Sequence, residues 1–192
     1  AVEDGSFATA PTLMAWIDSL MASGGTAHLI GVVSDGGVHG HLSHIIAAVE
    51  AITAAGVPVA IHAITDGRDV APQSADGFLG QLQSALPAGA RIATVIGRYW
   101  AMDRDTRWDR VERAYDAMVF AKGDAAPDAA AAVAQSYAKG ETDEFIAPTV
   151  LPGHTGMAAG DGFFCLNFRA DRAREILSAL ADPAFDGFTR TQ

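Results

Sequence analysis

The stretch VPVAIHAITDGRD, residues 57–69, decides the fold of this chain of 192 residues. Its first part, residues 57–65, is short, apolar and rich in β-branched side chains, which is typical of a buried β-strand. A polar turn that contains glycine, residues 66–69, follows at once and is typical of a loop. Because ligands of open α/β sheets bind at the carboxyl ends of the strands, this loop is a candidate functional site.

The DGRD turn combines three useful residue types. Gly67 permits a tight backbone turn, and Arg68 offers a planar guanidinium to a carboxylate or a phosphate. A carboxylate beside a cation favours its ionised form, so Asp69 is a candidate base for a hydroxyl proton. The alternative is that Asp66 and Asp69 only cap turns and that Arg68 is a solvated surface charge.

Outward from this stretch, the sequence alternates between strand and helix patterns. Strands are predicted at residues 27–33, 57–65, 91–96 and 162–167, and helices at residues 11–22, 42–55, 74–86, 106–121, 128–139 and 171–180. Ser74 is the predicted N-cap of the third helix, and residues 141–160 are predicted to be irregular and to run over the surface. The alternation predicts a single α/β domain, residues 1–192, with three α/β/α layers and a mostly parallel sheet.

Composition and charge argue against several classes of partner. The formal net charge is −10, from 13 basic and 23 acidic residues, which argues against nucleic acid and against an anionic membrane. No apolar run approaches the roughly 20 residues that a membrane span requires. Cys165 is the one cysteine; it fits a reducing compartment, and its apolar surroundings in the sequence predict that it is buried. The first residues show neither a signal-peptide pattern nor an initiator Met. We therefore expect the chain to be part of a longer, cytoplasmic protein.

The basic residues show a second pattern, because 11 of the 13 are arginine and several follow predicted strands. The predicted loops at residues 34–40, 66–69, 97–105 and 167–172 all belong to one edge of the sheet. The candidate site residues that these loops contribute are His39, Arg68, Asp69, Arg98, Arg104, Arg169 and Arg172. Guanidinium groups around one carboxylate suit a small ligand with several anionic oxygens. The alternative is that the arginines of residues 169–174 are solvated, and that Asp103 and Asp105 only pair with nearby arginines.

Long motifs in this chain carry a family resemblance. They are SDGGVHGH (residues 34–41), DGRDVAPQSA (66–75), GRYWAMDRDTRWDRVERAYDAMV (97–119), SYAKGETDEFIAPTV (136–150) and NFRADRAREI (167–176). In this order they resemble the phosphotransferase domain of cofactor-independent phosphoglycerate mutase. The resemblance is nearly collinear over almost the whole chain, and several long motifs in one order make it specific.

The resemblance implies an activity and a set of roles. In that family the domain is inserted into an alkaline-phosphatase-like domain, and the pair interconverts 3-phosphoglycerate and 2-phosphoglycerate through a phosphoserine enzyme. The resemblance implies that Asp69 contacts the substrate and handles its hydroxyl proton. The further substrate-binding residues that it implies are His39, Arg68, Arg98, Arg104, Arg169 and Arg172.

The resemblance also places part of the chemistry outside this chain. The nucleophilic serine and two manganese ions of the family belong to the other domain, so no cofactor is expected here. We therefore expect the isolated chain to bind phosphoglycerate weakly and to be inactive. Its expected partners are the two phosphoglycerates and the phosphatase domain of the same polypeptide.

Three alternatives remain open at this point. The first is that the chain is a stand-alone anion-binding domain. The second is that it belongs to a phosphatase or mutase that acts on another phosphorylated sugar acid. Fold alone does not separate these functions. A metal site among the histidines of residues 39–44 is disfavoured, because no carboxylate cluster completes the set.

Overall fold

The strand predicted by the opening stretch lies inside a six-stranded sheet in the computed structural model, which describes residues 2–191. The strands of the described residues are β1 Ala27–Val32, β2 Val59–Thr65, β3 Ala90–Gly97, β4 Asp124–Ala125, β5 Thr149–Val150 and β6 Gly162–Cys165. Their order is β4-β5-β3-β2-β1-β6, and β3 with β5 is the antiparallel pair among otherwise parallel neighbours. The predicted mostly parallel α/β fold is confirmed.

Helices cover both faces of this sheet. Those of the described residues are α1 Pro11–Ser23, α2 Leu42–Ala54, α3 Ala75–Ala85, α4 Arg98–Ala101, α5 Trp108–Phe120, α6 Ala129–Ala138 and α7 Arg174–Ala181, with 3₁₀ turns at Ser6–Thr9 and Asp143–Phe145. Successive strand residues point to opposite faces. Leu29 and Ile61 pack in one core with α1, α2, α3 and α6, whereas Ile30 and Ile64 pack in a second core with α5 and α7. None of the helices in residues 2–191 combines the length and apolarity needed to cross a membrane.

The segment of residues 141–160 is more ordered than its irregular pattern predicts. It contains the 3₁₀ turn Asp143–Phe145 and the strand β5, which joins the sheet beside β3. The reason is the fully buried Asp143 carboxylate, which accepts N–H groups of Ser74 and Ala75 at 2.8 and 2.9 Å and the Tyr137 hydroxyl. Ser74 is the N-cap residue of α3, as predicted, but its side chain makes no capping hydrogen bond. The Asp143 carboxylate accepts the Ala75 N–H instead, and Ser74 Oγ donates to the Ala71 carbonyl.

The predicted burial of Cys165 is also wrong, since this side chain is only half-buried. Cys165 ends β6, which pairs with β1 alone and forms an edge of the sheet. Edge strands lack a covering neighbour on one side, which leaves such a side chain in partial contact with solvent. Burial of the rest of the thiol raises its pKa, which disfavours the reactive thiolate.

A buried chain of polar side chains crosses β1, β2 and β3 on the face of α5. Thr94 Oγ1 lies 2.9 Å from His62 Nδ1, His62 Nε2 lies 2.9 Å from His28 Nδ1, and His28 Nε2 lies 3.0 Å from Asp161 Oδ2. A carboxylate only accepts, so each ring donates toward Asp161 and accepts from the other side. In this arrangement a second proton on His28 Nδ1 would face the N–H group at His62 Nε2, and burial disfavours a charge on either ring, so both histidines are expected to be neutral. The ring of His154 packs 5.2 Å from that of His62.

Acid is therefore expected to lower the free energy of unfolding between pH 7 and pH 5. Burial lowers the pKa of His28, His62 and His154, with Arg91 as the cation that faces them. Unfolded histidines titrate near pH ~6.5, so below this pH the unfolded chain binds more protons, and stability present above it is lost. Each histidine held neutral lowers the free energy of unfolding by up to about 1.4 kcal/mol per pH unit, and this full slope is reached only well below the pKa of the unfolded histidine.

Urea unfolding at pH 7, 6 and 5 measures this slope. His62→Gln removes one titrating group of the network and should give a shallower slope. His44→Gln, outside the network, serves as the control and should keep the slope of the original chain. Equal slopes for the original chain and His62→Gln would contradict the explanation.

Candidate functional site

The candidate site lies where the four longer parallel strands end. The chain passes from β1 to β2 and β3 on one side, then returns to β6 on the other side of β1. Such a reversal leaves a crevice at the carboxyl ends of the strands, where open α/β sheets bind ligands. The segments after β1, β2, β3 and β6 contain all the predicted site residues.

Asp66 joins three of these segments. Its Oδ2 accepts the Ser34 hydroxyl at 2.7 Å, and its Oδ1 accepts the backbone N–H groups of Arg68 and Asp69 at 3.2 and 3.1 Å. The same Oδ1 accepts Arg98 Nη1 at 2.6 Å. Burial alone raises the pKa of this carboxyl, but the hydrogen bonds from Ser34, Asp69 and Arg98 outweigh burial and lower the pKa. Asp66 therefore shapes the DGRD turn and fixes a guanidinium at the same time.

Arg98 is the buried cation of the site, with 5% of its side chain exposed. Its Nη1 also donates to Asp69 Oδ2 at 2.8 Å, so one guanidinium nitrogen bridges two carboxylates. Burial lowers the pKa of a guanidinium, but here the hydrogen bonds to Asp69 and Asp66 outweigh burial and raise it. Gly97 makes this position possible, because a Cβ there would lie 2.3 Å from the Glu144 carbonyl oxygen.

Asp69 is partly exposed beside this pair, with 20% of its side chain accessible. His39 Nε2 lies 3.9 Å from Asp69 Oδ2. His39 itself is buried, and its Nδ1 has no hydrogen-bond partner among residues 2–191. Burial, followed by the Arg98 charge, lowers the pKa of His39. A neutral imidazole and a carboxylate thus face the same space. The SDGG loop approaches them closely, since a Cβ on Gly36 would lie 3.0 Å from that of Asp69.

Arg68 does not contact the carboxylate next to it in the sequence. Its side chain is 57% exposed, and its Nη1 lies 3.4 Å from Glu144 Oε1. The expectation that Arg68 is the cation beside Asp69 is therefore wrong, and Arg98 takes that position. The cause is the shape of the turn, in which the Asp66 carboxylate accepts the backbone N–H groups of Arg68 and Asp69. In this turn the Arg68 side chain contacts Glu144, whereas the Asp69 side chain contacts Arg98.

Arg104 and Arg169 share a carboxylate on the same rim. Both donate to Asp171 Oδ2, at 3.2 and 3.3 Å, and Arg169 Nε lies 3.0 Å from Asp171 Oδ1. The side chains of Arg104 and Arg169 are 48% and 50% exposed.

Arg172 completes the group. Its Nη1 donates to the Met102 carbonyl at 3.3 Å, and within residues 2–191 no carboxylate lies within ion-pair distance of it. Burial, followed by the neighbouring charges of Arg104 and Arg98, lowers its pKa. Arg172, Arg98 and Arg68 line a cavity of about 180 Å³. The structure thus brings three predicted arginines to one opening.

Sequence reasoning missed residues that hold this site together. The sequence pattern predicted only a turn-capping role for Asp66 and no separate role for Ser34 of the SDGG motif. In the structure these two side chains form a buried hydrogen bond. Their signal was a hydroxyl and a carboxylate that directly follow two neighbouring strands. In the alternative interpretation, Asp103 and Asp105 only pair with nearby arginines. Asp103 does lie 3.4 Å from Arg110 Nη1, whereas Asp105 forms no ion pair within the described residues.

Two of the histidines of residues 39–44 make local structural contacts. His41 is the N-cap of α2, where its Nδ1 accepts the backbone N–H of Ser43 at 3.2 Å. The rings of His41 and His44 are packed 5.9 Å apart. Across residues 2–191, no three His, Cys, Asp or Glu side chains are grouped as metal ligands.

The comparisons with known proteins agree with each other. A family model described as BPG-independent PGAM N-terminus matches residues 1–192. Relatives named 2,3-bisphosphoglycerate-independent phosphoglycerate mutase, from Cereibacter sphaeroides and Dinoroseobacter shibae, are each 69% identical over 188 residues. These alignments cover 98% of this chain and 37% of each relative, so the chain spans about a third of their length.

A solved structure gives the same result. A phosphoglycerate mutase of Leishmania mexicana, crystallised at low cobalt concentration, matches with a TM-score of 0.91 and 30% identity. The match covers 98% of this chain and 37% of that one. The chain belongs to the BPG-independent PGAM N-terminus family.

Proposed function

We propose that this chain is the glycerate-binding part of a cofactor-independent phosphoglycerate mutase, which interconverts 3-phosphoglycerate and 2-phosphoglycerate in glycolysis. The observation that carries the proposal is the convergence of four guanidinium groups, those of Arg68, Arg98, Arg110 and Arg172, on one cavity. Arg98 also contacts the Asp69 carboxylate. The names of the relatives, which are phosphoglycerate mutases, support this proposal. The chain spans 37% of the length of these relatives, so the activity of the whole protein is proposed together with the role of this part.

Binding uses charge and the planar shape of guanidinium groups. Phosphoglycerate carries a carboxylate and a phosphate, and both accept paired N–H groups from arginine. Among the five predicted site arginines, Arg172 is the one without a carboxylate partner within residues 2–191, so it is available to an incoming anion. The charges of Arg104, Arg98 and Arg68 lie close enough to act on it, and the Arg68 and Arg104 side chains are about half exposed.

Proton transfer falls to Asp69. When a hydroxyl oxygen of the bound glycerate attacks a phosphoryl group held by the enzyme, an O–P bond forms and the bond to the enzyme breaks. Asp69 accepts the hydroxyl proton in this step and returns it in the reverse step. Arg98 orients the Asp69 carboxylate through the 2.8 Å hydrogen bond.

The other components belong to the remainder of the polypeptide in this proposal. A serine there carries the phosphoryl group, and two manganese ions supply Lewis-acid chemistry when they are bound. Residues 1–192 act as one substrate-binding domain, inactive when isolated. The single cysteine favours a reducing compartment, for which we propose the cytoplasm.

A competition titration tests the substrate class. We expect 3-phosphoglycerate to bind this chain at least about tenfold more tightly than inorganic phosphate or ribose 5-phosphate, because its two anionic groups engage more guanidinium groups. Isothermal calorimetry measures the three affinities, and the chain should show no mutase turnover. Equal affinity for all three ligands would contradict the proposed substrate.

A further inference from the structure

The arginines of this site differ in how firmly a carboxylate holds them. Arg98 is buried against Asp66 and Asp69 at 2.6 and 2.8 Å, an arrangement that fixes its position. Arg104 and Arg169, by contrast, are about half exposed, and both contact one carboxylate, that of Asp171. Exposed ion pairs contribute little to stability and open easily.

Asp171 contacts the two arginines in the way that a ligand carboxylate does. Its Oδ2 receives N–H groups from both guanidinium groups, and its Oδ1 lies 3.0 Å from Arg169 Nε. The Asp171 side chain is itself 36% exposed, and its buried Oδ1 accepts no hydrogen bond within residues 2–191. A carboxylate in this position neutralises two cations that otherwise repel each other and the nearby Arg172.

We propose that Asp171 is an internal counter-anion, which holds Arg104 and Arg169 together in the empty site and is displaced by an anionic group of the ligand. The proposal rests on the proposed function for the identity of the ligand. Asp171 is thus a specificity-determining residue. A ligand must replace its contacts, which disfavours a weak monoanion and favours a ligand with several anionic oxygens.

The test compares variants of the full-length protein by calorimetric titration with 3-phosphoglycerate and with inorganic phosphate. Asp171→Asn removes the competing charge and is expected to tighten the binding of both ligands by about three- to tenfold. The gain should be larger for phosphate, which has fewer groups to offer in exchange. Asp105→Asn is the matched control, since Asp105 is an exposed carboxylate next to Arg104 in the sequence and forms no ion pair within residues 2–191, and it should change either affinity by less than about twofold.

Each outcome decides the inference. Tighter binding in Asp171→Asn but not in Asp105→Asn supports the counter-anion role. Equal gains in both variants overturn it, because the effect is then one of general charge. Weaker binding in Asp171→Asn, restored in Asp171→Glu, also overturns it and makes Asp171 a positioning residue. If the original protein does not prefer 3-phosphoglycerate to phosphate, the proposed function fails instead, while the phosphate comparison between variants still decides the role of Asp171.

Discussion

Asp69→Asn in the full-length protein is expected to lower kcat by about 10²–10⁴-fold, while KM changes by less than about threefold. An amide does not take up the hydroxyl proton, so the step that needs a base loses its acceptor. Binding is largely retained because the Asn oxygen still accepts Arg98 Nη1, which donates to Asp69 at 2.8 Å in the present structure. Steady-state kinetics in both directions of the reaction measure the two parameters separately.

Asp35→Asn is the matched control for this prediction. Asp35 is an exposed carboxylate of the neighbouring SDGG loop, and its removal changes the net charge by the same amount. We expect its kinetics to stay close to those of the original protein. A raised KM with unchanged kcat in Asp69→Asn would show that Asp69 contributes to binding rather than to proton transfer.

The long strands and helices were predictable because each carries its own periodic pattern. β1, β2 and β3 are mainly apolar runs, interrupted by His28, His62 and Thr94, and contribute side chains to both cores of the sheet. The strands β4 and β5 have two residues each, too few for any pattern. They form because β5 pairs with β3 and because the nearby Asp143 is anchored under α3, and both are contacts between distant parts of the chain.

The meeting of the four loops was predictable from topology, but their pairings were not. Parallel strands bring their carboxyl ends to one edge, so the approach of Arg98 to the DGRD turn follows from the strand predictions. Which arginine contacts Asp69 depends on how the turn bends, and the turn is shaped by the buried Asp66. Neighbourhood in sequence favoured Arg68, whereas the folded chain places that side chain against Glu144.

Arg98→Met is expected to lower the free energy of unfolding by about 3–5 kcal/mol, because it leaves the buried carboxylate of Asp66 and that of Asp69 without their cation. Arg68→Met, the matched exposed change, should lower it by less than about 1 kcal/mol. Urea unfolding at pH 7 compares the two variants with the original chain.

The pH dependence of the Arg98→Met defect separates loss of charge pairing from loss of packing. Without Arg98, the folded-state pKa of the buried Asp66 should rise, because burial then outweighs the remaining hydrogen bonds, and the folded variant should take up a proton more readily than its unfolded state. A group with a raised folded-state pKa contributes stability at low pH, and this contribution is lost as the pH rises. The difference in free energy of unfolding between the variant and the original chain should therefore become smaller as the pH is lowered from 7 to 4. Asp66→Asn should also restore part of the stability in the Arg98→Met background, because it removes one unpaired buried charge. A defect that is equal at both pH values, and that Asp66→Asn does not reduce, would mean that Arg98 stabilises the site through packing alone.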